Sequence, residues 1–556
     1  MPEKKWYRRW WVRIIGVILL LFFSFAVYLA LVAIEYPPDI ADRSAELLNR
    51  ERTSGGDYRI GASRLRKSSS GLYELYVEGA DFERGVINGK LTVELVQKQE
   101  ELFNAQIGKM IPSKFYLHFL KYFVGWFNRD LAKSVSEEYK REIYGVSLSA
   151  SHQYDYIGSP YQRILNYHAA HDIGHALQNL ALVGCTSFAT WDTLSEMRQL
   201  IIGRNFDFYV GDGFAEDKIV GFFKPDSGYG FMTVTWGGFL GAVSGMNEKG
   251  LSITINAAKS GIPSGAATPV SLVAREILQY AATIDEAYRI ASTRKMFVSE
   301  SFLVGSAHDS CAVIIEKTPD RLDMYRSDTK RIVCSNHFQS ESLESQPENK
   351  EQEKMSASVY RYQRVQELLD SLPVNTVSST AAVLRNRYGL HGKDIGNGNE
   401  KAINQLIAHH SVIFSPYDRK VWVSTHPWQL GQYVCYDLSR VLDLHGNWDG
   451  QSVSTDSLNI PEDPFLQQQG YRDFITFHQY KLDIFNGKLP DPAAIVRSNP
   501  NYYHSYVLAG KVCLKKEDYR SAMSYFEKAL QFEVATQWDV ETIRKDIAAC
   551  REKLNL

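Results

Sequence analysis

Covalent cross-linking is scarce in this sequence. Its 556 residues hold six cysteines, Cys185, Cys311, Cys334, Cys435, Cys513 and Cys550. They are scattered and form no CxxC pair, which argues against a zinc ribbon or a dense disulfide framework. Charge of one sign is also lacking: Lys and Arg number 62, Asp and Glu 64, and the net charge is −2. A chain so balanced has no global drive toward nucleic acid, and none is expected as a partner. What remains is ordinary globular material, 44% hydrophobic and 23% charged. The length suggests about two to four domains.

The N-terminus carries Lys4, Lys5, Arg8, Arg9 and Arg13, then an uncharged apolar run of 21 residues from Ile14 to Ile34. That length spans a bilayer as a helix. Trp6, Trp10 and Trp11 stand on the basic side, where an aromatic belt belongs. The apolar run exceeds that of a cleaved signal peptide, usually about 7–15 residues, and no small-x-small cleavage site precedes Tyr36-Pro37-Pro38. An uncleaved single-pass anchor is expected. Residues 1–13 would be cytoplasmic, 14–34 the transmembrane helix, and everything after Glu35 extracytoplasmic. Polar residues 35–70 read as a stalk. From Gly71 the chain alternates like a strand and then takes helical periodicity from Val86 to about Ile107, with more helix across 114–150. The charges Glu137, Glu138, Lys140, Arg141 and Glu142 read as a solvated helix face.

Gly184-Cys185-Thr186-Ser187-Phe188 is the stretch around which the rest is arranged. A buried structural thiol is the plain reading of a lone cysteine. Its neighbours point elsewhere. Gly203-Arg204-Asn205-Phe206-Asp207 follows, then Gly245-Met246-Asn247-Glu248-Lys249-Gly250-Leu251 leading to Asn256, then Cys334-Ser335-Asn336-His337-Phe338, then Arg361 in a Ser-rich run. In this order the motifs resemble the isopenicillin N acyltransferase family of cysteine N-terminal-nucleophile (Ntn) hydrolases. Choloylglycine hydrolase, penicillin V acylase and acid ceramidase are more distant relatives. The likeness spans about residues 70–440.

The resemblance implies an α+β fold: a four-layer αββα sandwich, here with an N-terminal transmembrane helix and a small all-α C-terminal module added. It implies self-cleavage between Gly184 and Cys185, after which the freed α-amine of Cys185 serves as base for its own thiol. An α-amine with an ordinary pKa of about 7.7–8.0 suits that task. Glycine at 184 adopts strained angles cheaply and leaves its carbonyl open to the sulfur. By family position Asp207 would hold the new amine. Arg204 would lower the thiol pKa or contact substrate. Asn256 would contact the oxyanion or the leaving group, Asn336 would be the first choice for the oxyanion, and Arg361 would brace the nucleophile. Asn247 reads as a turn residue. The expected reaction is hydrolysis or transfer at a linear, non-peptide amide of a small molecule, through an acyl-thioester on Cys185, with no cofactor or metal.

Two other readings stand beside it. His171 and His175 have the i, i+4 spacing of a zinc-protease helix, with Asp172 in place of Glu and no third ligand in view. That would make a metallohydrolase. A non-catalytic scaffold with a partner-binding tail is the other. The domain scheme is residues 71–184 upstream of the nucleophile, 185–440 the catalytic core, 441–490 linker and helix, and 491–556 a tetratricopeptide-like module offering a surface to a protein partner. Strands are expected at 199–203, 230–236, 251–257, 301–305, 311–316, 331–334, 411–414 and 420–424. Helices are expected at 270–282, 284–293, 357–371, 379–387, 466–486 and 537–553. Gln339 to Lys354 reads as a surface insertion.

Overall fold

A computed structural model describes residues 4–110, 122, 124–169, 172, 183–209, 211–259, 267–449 and 451–556. Two sheets dominate it. The larger has eleven strands among the described residues: β1 (Glu51–Arg52), β2 (Tyr58–Ile60), β3 (Ser63–Lys67), β4 (Tyr73–Gly79), β7 (Ile219–Pro225), β8 (Phe231–Thr235), β9 (Ser244–Asn247), β10 (Leu251–Ala257), β11 (Glu300–Ser306), β12 (Cys311–Lys317) and β13 (Leu322–Tyr325), in that spatial order. The smaller runs β14 (Arg331–Cys334), β5 (Val183–Thr190), β6 (Ile201–Phe208), β15 (His410–Ser415), β16 (Lys420–Ser424) and β17 (Tyr433–Asp437). Neighbours are antiparallel except β4 and β7, which pair in parallel. Both faces of the central strands are buried, as the all-buried β6 and β10 show. Continuous runs such as Ile253 and Ile255 between small polar residues suit such a position.

One core lies between the sheets. Met232, Val234, Met246, Leu303 and Ile314 of the larger share it with Ile202, Val412, Phe414, Val423 and Val434 of the smaller. On its other face the larger sheet shares a core with the helices Asp81–Leu91, Glu137–Ser147, Pro160–His168, Val270–Tyr280 and Ile284–Thr293. The smaller sheet packs outward on Ser358–Asp370 and Val377–Leu384. Sequence periodicity placed Val270–Tyr280, Ile284–Thr293, Ser358–Asp370 and Val377–Leu384 within a few residues. The pattern expected from Val86 to about Ile107 is instead two helices, Asp81–Leu91 and Val93–Met110, and Pro160–His168 was not expected.

Several boundaries differ from expectation. Residues 51–67 are not stalk: β1 to β3 extend the larger sheet beyond β4. Their side chains alternate too weakly to announce strands, and pairing with β4 supplies what pattern does not. Glu142 is not on a solvated face. It is fully buried, with its carboxylate 2.7 Å from Arg84 and 2.8 Å from Arg275. The stretch 441–490 is not a simple linker, because Trp448 and Val453 fill the inter-sheet core. The insertion at 339–354 contains the helix Pro347–Met355, and Asn349 inside it is buried.

An N-terminal helix runs Lys4–Val32, and its Trp10–Leu29 stretch is long and apolar enough to cross a membrane, with none of it buried in the protein. At the other end, Gln469–Phe485, the hairpin Tyr503–Lys515 and Tyr519–Ala529, and Gln537–Leu554 form a helical unit. Asp518 caps the second hairpin helix through Ser521 N. Gly510 admits Phe526 so closely that a Cβ would lie 2.5 Å from its ring. This unit shares a core with Leu406, Trp428 and Leu430 of the sheet region.

Candidate active site

Cys185 sits in β5, fully buried, paired in register with Phe206 of β6. Alternation along β5 turns Cys185 and Ser187 toward the larger sheet. Arg204 of β6 points the same way. Its Nη2 lies 3.5 Å from Cys185 Sγ and also donates to Ile255 O at 2.6 Å, while Nη1 donates to Val243 O and Ser244 Oγ. Burial pushes the Cys185 thiol up to about 11 against the pull of Arg204. The arrangement therefore keeps the sulfur protonated while the chain is whole, with one cation in position to stabilise a thiolate.

Asp207, three residues on, faces the other side of β6. It stands in register with Gly184, the residue before the nucleophile. Its Oδ2 accepts from Gln405 Nε2 at 3.2 Å, and Oδ1 has no partner among the described residues. Burial pushes its carboxyl up to about 8, with Arg361 and Arg204 pulling against this. Gln405 Nε2 also lies 3.4 Å from Gly184 O. A Cβ at 184 would fall 2.8 Å from that same nitrogen, so a larger residue there would push the Gln405 amide aside.

Asn336 Oδ1 accepts from Cys185 N at 3.1 Å and from Arg361 Nη2 at 2.5 Å. Arg361 Nη1 is held by Glu400 O at 2.9 Å. Asn336 Nδ2 spends one hydrogen on Ala257 O, 2.9 Å away. Asn256 spends both amide hydrogens, on Cys334 O at 3.0 Å and Ser335 O at 3.2 Å, while its Oδ1 accepts from Ser187 Oγ at 2.9 Å. An amide has two N–H donors, so among the described residues Asn336 retains one and Asn256 none. Asn247 is a turn residue: its Oδ1 accepts from Lys249 N and Leu251 N, both at 3.0 Å.

All six expected side chains thus meet at the same ends of β5, β6 and β10. Sequence reasoning missed Gln405, Ser187, Ser244 and Ser358, the last of which receives Asn336 N at 2.7 Å. Ser187 and Ser358 stand inside the motifs around Cys185 and Arg361, whereas Gln405 and Ser244 stand in none. It also passed over Glu300, a fully buried carboxyl with neither oxygen partnered among the described residues and held far above the usual range by burial. The doublet His409-His410 was a visible signal that was not used. His171 and His175 lie outside the described residues. Among those described, no group of three or more His, Cys, Asp or Glu is placed to hold a metal.

Residues 194–427 match a family. Its description is acyl-coenzyme A:6-aminopenicillanic acid acyl-transferase, and the match begins after Cys185. It supports an amide-acting enzyme. A protein of Archaeoglobus fulgidus, described as uncharacterized, is 25% identical over 272 residues, 45% of this chain. The aligned region spans 44% of that relative's length. Among solved structures, an N-acylethanolamine-hydrolyzing acid amidase ortholog from Caenorhabditis elegans aligns at 18% identity over 42% of this chain and 93% of its own, with a TM-score of 0.30. A variant of the conjugated bile acid hydrolase of Clostridium perfringens aligns at 11% identity over 46% and 93%, TM-score 0.33. Penicillin V acylase from Agrobacterium tumefaciens aligns at 15% identity over 46% and 87%, TM-score 0.30.

Proposed function

We propose that the chain is a self-processing cysteine Ntn enzyme of αββα architecture that hydrolyses or transfers the acyl group of a linear amide. The observation that carries this is the pairing of Gly184 with Asp207 beside a buried Cys185 whose amide nitrogen is already held by Asn336. In the first step Cys185 Sγ attacks the Gly184 carbonyl carbon. A C–S bond forms, the Gly184–Cys185 C–N bond breaks, and the thiol proton passes to the departing nitrogen. Water then hydrolyses the thioester, leaving a Gly184 carboxylate and a free α-amine on Cys185. That amine stays within reach of Asn336 Oδ1, and the unpartnered Asp207 Oδ1 stands across the strand pair to hold it as an ammonium. In turnover the amine, in its neutral form, takes the thiol proton and the sulfur attacks the substrate carbonyl carbon. As the C–S bond forms the substrate C–N bond breaks, the departing amine takes the proton back from the α-ammonium, and water or an acceptor amine resolves the thioester. Arg204 steadies the thiolate, and the remaining N–H of Asn336 is the better donor to the oxyanion, since Asn256 has none to give.

The chain is further read as a single-pass membrane protein with its catalytic unit outside the cytoplasm and a tetratricopeptide-like tail. The test of the main reading is the purified full chain on a denaturing gel. It should show pieces of 184 and 372 residues, the second beginning at Cys185. Cys185→Ala should give one uncut chain without amidase activity. Cys185→Ser should cut more slowly, a hydroxyl being the weaker nucleophile. An uncut wild-type chain that still hydrolyses amides sinks the mechanism. Loss of that activity on chelation would transfer it to His171 and His175. An uncut and inactive chain leaves the scaffold reading.

A further inference from the structure

A chain of hydrogen bonds leads away from the nucleophile between the sheets. One polarity uses every donor along it up to the last ring, whereas the reverse leaves the Ser244 hydroxyl hydrogen without an acceptor among the described residues. Arg204 has only donors, so Ser244 Oγ accepts from it. The hydroxyl hydrogen of Ser244 is then available to its other neighbour, His410 Nε2, at 2.8 Å. Burial keeps His410 and His409 neutral, well below the usual histidine range. A neutral imidazole that accepts at Nε2 carries its proton at Nδ1. That proton points to His409 Nδ1, 2.8 Å away. His409 must therefore carry its own proton at Nε2.

This last N–H is fully buried and has no partner among the described residues. Its ring is boxed by Phe214 at 4.6 Å, Trp236 at 5.2 Å and Phe206 at 6.4 Å between centroids. Phe206 is the register partner of Cys185. A buried donor left unmade costs about 1–3 kcal/mol, and an apolar residue of similar shape would avoid that cost.

We propose that His409 is a specificity-determining residue whose Nε2–H donates to an acceptor oxygen on the acyl part of the substrate, inside the box of Phe206, Phe214 and Trp236. This rests on the acyl-transfer reading of Cys185. The ligand class is an apolar or aromatic acyl chain interrupted by one ether, hydroxyl or carbonyl oxygen. An ammonium on that chain would meet a donor instead of an acceptor, with the Arg204 guanidinium, 4.4 Å from the Phe206 ring centroid, adding like charge. Cleavage before Cys185 would make Val183 part of a free chain end, and Val183 pairs with Phe208, whose ring lies 5.7 Å from both Phe206 and Phe214.

The experiment uses the full processed chain and two readouts. In a two-bond proton–nitrogen NMR correlation, His410 should show the Nδ1–H tautomer and His409 the Nε2–H tautomer. The opposite pair overturns the inference without reference to activity. Second, kcat/KM is measured for linear acyl amides in which one chain CH2 is replaced by oxygen at successive positions. One position should be preferred about 10- to 100-fold over the all-carbon amide. His409→Phe should bring that ratio to near one, and His409→Gln, which retains an N–H, should restore part of it. Turnover of the all-carbon amide with no preferred position defeats the inference and leaves the Cys185 reading intact. An uncut chain that turns over none of them defeats both.

Discussion

On the proposed mechanism, Asp207 is costly before cleavage and useful afterwards. In the uncut chain its carboxyl is buried and held near 8, far above its unfolded value of 3.8. Below the unfolded value both states are protonated and the group is neutral in effect. As pH rises from about 4 to 8 the unfolded chain ionises and the folded one does not, so Asp207 progressively lowers stability. Asp207→Asn in the uncut Cys185→Ala background should therefore gain stability over its parent, by a few tenths of a kcal/mol or less near pH 4 and on the order of a few kcal/mol near pH 8. Denaturant titration at the two pH values checks this. A constant offset would mean that the carboxyl is already ionised in the uncut chain. In the otherwise wild-type chain the same substitution should lower turnover, because the neutral amide holds an α-ammonium less well.

At the scale of elements, the helices Asp81–Leu91 and Glu137–Ser147 cross where Gly85 meets the backbone of Glu142. A Cβ at 85 would lie 2.1 Å from Glu142 O. Beside this crossing, Glu142 joins Arg84 of one helix to Arg275 of the helix Val270–Tyr280. Burial alone would raise the Glu142 carboxyl, and the two guanidiniums more than offset it, leaving it below the usual range. Removing one partner of such a buried set strands the others. Glu142→Ala should cost about 3–5 kcal/mol, read as a lower denaturation midpoint. An effect below about 1 kcal/mol would mean that the two arginines find other acceptors.

For the whole molecule the C-terminal unit matters most. Glu533 bonds Lys401 at 2.7 Å and Lys393 at 2.9 Å, and its carbonyl accepts from Asn399 at 2.9 Å. Leu406, Trp428 and Leu430 bury themselves against its helices. A chain ending at Leu444 also loses Trp448 and Val453 from between the sheets. Such a truncation should fail to fold and fail to cut. One ending at Asp463 keeps the pairings of Ile460 with Tyr433 and of Ser454 with Tyr436. It should still cut, but unfold at lower denaturant. Equal behaviour of the two would mean that residues 445–463 contribute no core. Topology is a separate matter. A reporter active only outside the cytoplasm, fused after Leu556, should be active, and activity of a cytoplasmic reporter there would reverse the orientation.

Local chemistry made much of this protein legible. The apolar run from Ile14 to Ile34 predicts a long helix, and the structure has one over Lys4–Val32 that is long and apolar enough to cross a membrane. Period-3.6 patterns located Val270–Tyr280 and Ser358–Asp370, and short apolar runs located β10 to β12. The motif order around Cys185 named the six side chains that the fold brings together. Tertiary structure alone decided the rest. β1 to β3 are strands because β4 offers them an edge. Glu142 is buried because two arginines distant in sequence meet it. Trp448 is core because the sheets leave room for it. Asn336 is the first choice for the oxyanion by motif, but that it and not Asn256 retains an N–H among the described residues depends on which carbonyls the folded chain sets beside each amide. Each of these outcomes depends on partners far along the chain, and a sequence read locally carries no record of who those partners are.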